Sequence, residues 1–376
     1  MVARPLRNAL LALGLAAPLG GMAALAQEAA EFRPIGSRFV PVRAIPIERF
    51  SLFDGNNAGA LTFLGGLDLR GRTPFSSLSG LDRLPEGDAF VAVTDRGEWV
   101  RMDVTRDAIG RLAEVETTMA RMRVDATGRR SKDDSDAEAV RVLRDGSLAV
   151  SLEQRNRILR FDTIGRLLGT LAHPIPEDEL RRNKGFEALA LAPEDSALAG
   201  GLVLVTERSI DEEFDIFAAV LSGPRKGVFK IRRLDDFDVT DAVFLPDGDM
   251  LLLERSYLGR LSLRMRIRLI KGDTIRPGAR VDGPILMTAG LTSEIDNMEG
   301  IAVHADERGT IVTLVSDDNG SFLQRTLLLE FLLEPNARPP VVPVPRMRPS
   351  PLVKRLRTTQ ARTPRPEAAS RPRSAP

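Results

Sequence analysis

Asn183-Lys-Gly-Phe-Glu-Ala-Leu-Ala-Leu191, followed by Leu202-Val-Leu-Val-Thr-Glu207, decides the fold. An acid, Glu187, opens an alternating apolar run. A connection follows, and a second apolar run ends on another acid, Glu207. Apolar residues at every second position mark strands. The same unit reads Ser135-Asp-Ala-Glu-Ala-Val-Arg-Val with Leu148-Ala-Val-Ser-Leu-Glu153, and Val239-Thr-Asp-Ala-Val-Phe-Leu with Met250-Leu-Leu-Leu-Glu254. It returns as Asn297-Met-Glu-Gly-Ile-Ala-Val with Ile311-Val-Thr-Leu-Val-Ser-Asp317. A fifth copy, Ser79-Gly-Leu-Asp-Arg-Leu with Phe90-Val-Ala-Val-Thr-Asp95, carries Gly80 in place of the first acid.

Gly80, Glu138, Glu187, Asp241 and Glu299 are separated by 58, 49, 54 and 58 residues, about the length of four strands with their loops. Turn sequences such as Arg144-Asp-Gly-Ser and Pro246-Asp-Gly-Asp stand between the runs. The reading is all-β: a β-propeller of four-stranded blades. Five copies account for residues 76 to about 320. The front strands (39–43, 47–52, 60–69) and the last (324–333) are assigned to one further blade, which predicts six. A blade built from both chain ends would close the ring and remove its open edge. Helix is expected as a short loop piece over 177–183, and Ala108–Met122 reads as either a short helix or a long strand pair. Ser262–Leu269 alternates apolar residues with arginine and reads as a strand with one arginine-rich face.

Three segments follow: a leader (1–26), the propeller body (27–334) and a disordered Pro/Arg-rich basic tail (335–376). Arg4 and Arg7 before an apolar run, and Ala24-Leu-Ala26 after it, fit a cleaved secretory signal. The expected location is the periplasm or outside the cell. The chain has no cysteine, so stability rests on packing or bound ions. The tail holds ten basic residues and one acid, and the leader two arginines; against the chain's +1, that leaves the body near −10. An acidic body argues against a nucleic-acid groove and for cation binding. The tail is read as a solvated end or as a contact for anionic lipid or peptidoglycan. Nothing calls for a second subunit, and the chain is read as a monomer.

Equivalent residues in successive blades converge around one axis. Glu138, Glu187, Asp241 and Glu299 precede one strand of each unit, and Asp95, Glu153, Glu207, Glu254 and Asp317 end the next. Antiparallel pairing brings both sets to one face. So many carboxylates require compensation. Oxygen donors without Cys or paired His suit calcium, and magnesium less well. The metal set is read as Glu138, Glu187, Asp241, Glu299, Glu207 and Glu254. Arginine follows the strand-end acid in Asp95-Arg96, Glu207-Arg208 and Glu254-Arg255. Two readings stand: salt bridges that tie the blades, or a cation held by the acids while Lys184, Arg208, Arg255 and Arg96 bind an anionic group such as phosphate. No Gly-x-Ser-x-Gly elbow, HExxH or Walker loop is present, and no residue is assigned the catalytic step. Tyr257 and Trp99 follow the strand-end acids and are read as pocket or core.

Leu78-Ser-Gly-Leu-Asp, Val93-Thr-Asp-Arg-Gly, Asp136-Ala-Glu-Ala-Val, Asn183-Lys-Gly-Phe-Glu-Ala-Leu and Asp296-Asn-Met-Glu-Gly together resemble the bacterial phytase-like family, "esterase-like activity of phytase". The resemblance spans 40–333. It implies a secreted β-propeller that hydrolyses phosphate or other esters. The Asp-Ala-Asp-Asp-Pro-Ala signature of calcium-dependent propeller phytases is absent, so no catalytic residue transfers through it. The expected function is an exported, metal-dependent phosphoesterase that uses a metal-bound water on a small anionic ester. The alternative is a non-catalytic ligand- or protein-binding propeller of the cell envelope.

Overall fold

The computed structural model describes residues 31–125, 132–181, 184–257 and 262–335. The leader and all of the tail but Pro335 lie outside them. Each repeat copy begins a blade. Blade 1 runs outward from Leu78–Arg83 through Ala89–Thr94, Glu98–Arg106 and Leu112–Arg121, with Arg38–Phe39 at its edge. Blade 2 is Ala137–Val142, Leu148–Leu152, Arg157–Phe161 and Leu167–Leu171. Blade 3 is Phe186–Leu191, Leu202–Ile210, Ile216–Val220 and Gly227–Ile231, plus the parallel two-residue strand Arg280–Val281. Blade 4 is Asp238–Phe244, Met250–Ser256, Arg264–Ile270 and Ile285–Ala289. Blade 5 is Asn297–Asp306, Gly309–Asp317, Thr326–Leu333, Leu61–Arg70 and Arg43–Ile47.

The ring has five blades, not six. The copy that begins at Asn297 owns only the strands up to Thr326–Leu333; Leu61–Arg70 and Arg43–Ile47 from the front of the chain complete the same sheet. A repeat copy does not show in its sequence that its outer strands are missing, so the terminal strands read as a separate blade when they belong to this one. The closure itself is as expected: both chain ends meet in one blade, and no edge is left between first and last.

Five apolar clusters hold the ring, one per blade junction. Blades 1 and 2 meet at Val93, Trp99, Val140 and Leu159, and blades 2 and 3 at Ala139, Ile158, Phe186 and Leu204. Val205 and Leu252 join blades 3 and 4, Leu253 and Leu314 join 4 and 5, and Val315 and Phe90 join 5 and 1. A strand buried on both faces needs a continuous apolar run, which is why the second strands read Leu-Val-Leu-Val or Met-Leu-Leu-Leu. Trp99 is core, packed edge-on between Phe32 (5.4 Å) and Phe161 (5.1 Å). Tyr257 is not core; it is exposed. On the arginine face of Arg264–Ile270, Arg264 is exposed, whereas Arg266 and Arg268 are buried and donate to Leu234 O and Arg232 O in the connection from blade 3.

The innermost strands crowd the axis. A Cβ on Gly300 would lie 2.8 Å from the Gly80 carbonyl carbon, and one on Gly80 2.8 Å from Ala139 Cα. Gly80 also has φ +59°, which favours glycine. That is why the first copy lacks an acid there. Arg141 fills the remaining space. It donates to Leu81 O in blade 1, to Ala242 O and Asp241 Oδ1 (2.8 Å) in blade 4 and to Ile301 O (3.1 Å) in blade 5.

Candidate active site

A β-bulge recurs in every inner strand and builds the mouth. One residue of the inner strand is skipped in the pairing between Ser79 and Leu81, Phe186 and Ala188, Val239 and Asp241, and Met298 and Gly300. In blade 2 the ladder breaks at the same place, beside Glu138. The skipped residues are Gly80, Glu138, Glu187, Thr240 and Glu299. A bulged residue leaves the ladder and its side chain is re-aimed. Here the bulges deliver carboxylates to one end of the ring.

On the neighbouring strand, Glu153, Glu207 and Asp317 follow the residues paired just before the bulge. Carboxylate oxygens of Glu153, Glu187 and Glu207 lie within 4.8 Å of one another. Those of Asp136, Glu138 and Glu153 do the same, so Glu153 belongs to both groups. Glu299, Asp317 and Asp95 complete the acidic field.

Blade 4 differs. The bulged residue there is Thr240, and the strand-end position belongs to Arg255. Asp241 and Glu254 each sit one residue away from the mouth position, and a one-residue offset turns a side chain to the other face. Asp241 therefore points to the axis, where it accepts from Arg141, Ala242 N (2.8 Å) and Ile301 N (2.9 Å). Glu254 is fully buried inside the blade between Arg266 (2.7 Å) and Arg268 (2.9 Å). Neither is at the mouth; both lie away from where the expectation of a metal ligand placed them. Glu138, Glu187, Glu207 and Glu299 are brought together as expected.

The cations divide similarly. Lys184 Nζ lies 2.8 Å from Glu207 Oε1, and Arg255 donates to Glu299 and Asn297. These two face the acids. Arg208 is turned aside onto Asp238 (Nε to Oδ1 2.7 Å), which Arg233 also holds. Arg96 is half-exposed and reaches Asp95 at 3.8 Å. Ser209 and Ser256 are buried, and Ser209 Oγ donates to Lys184 O (2.8 Å). His173 stacks on Phe186 at 4.6 Å, and His304 lies beside Arg83, Arg106 and Glu330. Neither histidine faces the acids.

Burial raises these carboxyls, and their own neighbours raise them further. Glu138 is held well above the usual carboxylate range by burial and by Asp136, Glu153 and Glu299. Glu187 is raised in the same way by burial, Glu207 and Glu138. Burial and Glu207 push Glu153 up to about 7, although Lys184 pulls it back. Burial and Glu299 push Asp317 up to about 8. Glu299 is raised by burial despite Arg255. Two cations do not neutralise this field; protons or a bound cation must make up the difference.

Missing from the expected metal set were Glu153, Asp136 and Asp317. Glu153 and Asp317 carried the strand-end signal. Asp136 lies outside the repeat pattern; its neighbour Gln154 fixes it at 2.9 Å.

The fold and site define a five-bladed propeller with a carboxylate-lined mouth. No curated protein matches the sequence. The chain belongs to the phytase-like family described as "esterase-like activity of phytase", whose model matches residues 73–320. Solved structures to which the chain bears a weak likeness include virginiamycin B lyase from Staphylococcus aureus (9% identity, 78% of this chain and 100% of that one, TM-score 0.38). The Malassezia sympodialis allergen Mala s 1 (11%, 77% and 96%, 0.37) and the PQQ-bound aldose sugar dehydrogenase of Streptomyces coelicolor (12%, 78% and 100%, 0.35) are similar. At these scores the likeness carries no argument about chemistry.

Proposed function

We propose that the protein is a metal-dependent ester hydrolase acting on phosphoesters. The observation that carries this is the pair of overlapping carboxylate triads, joined at Glu153. The donors are carboxylate oxygens alone, a set that fits a hard, geometrically tolerant cation such as calcium better than zinc. Glu153, Glu187 and Glu207 would hold it, with Asp136 and Glu138 beside them. A divalent cation there supplies positive charge to an anionic ester and lowers the pKa of bound water.

The chain's own residues supply the rest. Lys184 and Arg255 stand at the rim with donors for the ester's anionic oxygens. Asp317, raised by burial and by Glu299, is the acid placed to pass a proton to a departing alkoxide oxygen. The axis is closed below by Arg141 and Asp241, so the ligand enters and leaves by the same face. The leader-like sequence 1–26 supports export to the periplasm or beyond, and the body is taken to act as a monomer.

Turnover of a chromogenic phosphomonoester, measured in chelator and then with added calcium, tests the proposal. Activity should require calcium. A rate that ignores both calcium and Glu187→Gln would remove the mouth from catalysis, and no turnover with or without calcium would leave the non-catalytic reading instead.

A further inference from the structure

A cleft of about 1010 Å³ lies beside the acidic mouth. It reaches the mouth at two points: Arg96 follows Asp95, and Asp318 follows Asp317. Its walls bring Arg70, Arg72, Arg96 and Arg325 together with Phe322 and Leu323. This is an unusual grouping on a body whose net charge is near −10.

Two of the four guanidiniums are already engaged. Arg70 pairs with Asp68 at 3.0 Å and Arg325 with Glu294 at 2.6 Å. Among the described residues Arg96 has only the loose contact with Asp95, at 3.8 Å, and its side chain is 45% exposed. Arg72 makes no ion pair among the described residues and is exposed. The acids of the cleft do not neutralise this pair: Asp68 faces Arg70, and Asp318 accepts Ser77 N (3.2 Å) and Gly320 N (2.9 Å). Gly320 leaves space for Arg96, whose terminal nitrogen lies 3.0 Å from where a Cβ would be. Phe322 is 93% exposed, and Leu323 is 54% exposed beside it.

An exposed guanidinium with no partner among the described residues (Arg72) or only a loose one (Arg96) offers a planar fork to an anion, and a bare ring offers a face to a flat apolar group. We propose that this cleft binds the organic part of the ligand, and that the ligand is an anionic ester of an aromatic or similarly flat apolar alcohol. Arg72 and Arg96 take an anionic oxygen while Phe322 stacks on the apolar body. The inference rests on the reading of the acidic mouth as the reacting centre, but its test does not.

The probe is 1-naphthyl phosphate, whose binding to the full chain is followed by its own fluorescence in chelator, where no turnover is expected. Wild-type protein should bind it about 10-fold or more tightly than inorganic phosphate or 1-naphthol. Arg72→Ser with Arg96→Ser should weaken binding about 10-fold or more, and Phe322→Ser about 5-fold. These side chains are exposed, so melting temperatures should stay at the wild-type value and report intact folding. Binding that ignores all three changes, or that is no tighter than inorganic phosphate, overturns the cleft assignment. Binding that depends on the cleft, in a protein that still turns over no ester with calcium, supports the cleft and counts against hydrolysis at the mouth.

Discussion

Blades 3 and 4 share a plan and differ by one residue of register. In blade 3 the bulge carries Glu187, and the strand end carries Glu207. In blade 4 the corresponding residues are Thr240 and Arg255, and the two acids expected there are turned inward. The same residue types thus do opposite work. Glu187 and Glu207 crowd other carboxylates, whereas Asp241 and Glu254 are each neutralised by buried arginine. A buried acid with an arginine partner, as on the axis at Asp241 or beside Arg266 and Arg268 at Glu254, is structure. An acid that faces other acids at the end of the ring is a place where a cation or protons must collect.

That contrast is open to direct attack. The largest effect should come from Asp241→Asn. Removing one partner of a buried ion pair costs about 3–5 kcal/mol, because Arg141 is left without its counter-charge on the axis. The melting temperature should drop steeply, and calcium should not restore it. Glu187→Gln should do the reverse. Turnover should fall on the order of 100-fold as cation affinity falls, while the calcium-free protein becomes more stable, since one source of repulsion is gone.

The pH dependence is a third test. Glu153 and Asp317 have folded pKa values of about 7 and about 8, whereas unfolded acids titrate near 4. The native state therefore holds protons that the unfolded chain has released, and stability falls as pH rises through that window. Thermal melts in chelator should show highest stability near pH 4 to 5 and a decline up to about pH 8. Calcium should flatten the part of that decline that the mouth acids cause; the part due to Asp241, pushed up to about 7 by burial on the axis, should remain. A calcium-free protein whose stability rises between pH 5 and 8 would show that the mouth acids are neutralised by other means. The smallest effect is expected from Arg208→Gln. Arg208 is held by Asp238 to one side of the acids, so turnover should change about 3-fold or less.

The sequence carried the architecture well, for a physical reason. Each blade is buried on both faces, so its second strand must be an apolar run, and each turn must reverse the chain; both leave marks. The blade count did not follow, because the pairing of Thr326–Leu333 with Leu61–Arg70 is a contact between chain ends that no local pattern records. The mouth was legible where the acid directly follows the last apolar residue before the bulge, as in Phe186-Glu187 and Met298-Glu299. It was misread in blade 4, where Val239 is followed by Thr240 and the acid comes one place later. Matching on the apolar residue rather than on the charge would have placed Thr240 and Arg255 correctly. Asp136 gave no signal, since it lies before the strand and depends on how the loop folds. The arginine cleft was invisible apart from Arg96, because Arg70, Arg72 and Arg325 come from segments distant in the chain.

The central claim is that bulged and strand-end acids of blades 2 and 3 converge on a cation through Glu153. Calorimetric titration of calcium into chelator-stripped protein, wild type against Glu153→Gln, tests it most directly. Saturable calcium binding that is lost or weakened at least about 10-fold in Glu153→Gln, the residue common to both triads, is the predicted result. Absence of binding in the wild type, or equal binding in both proteins, would contradict it.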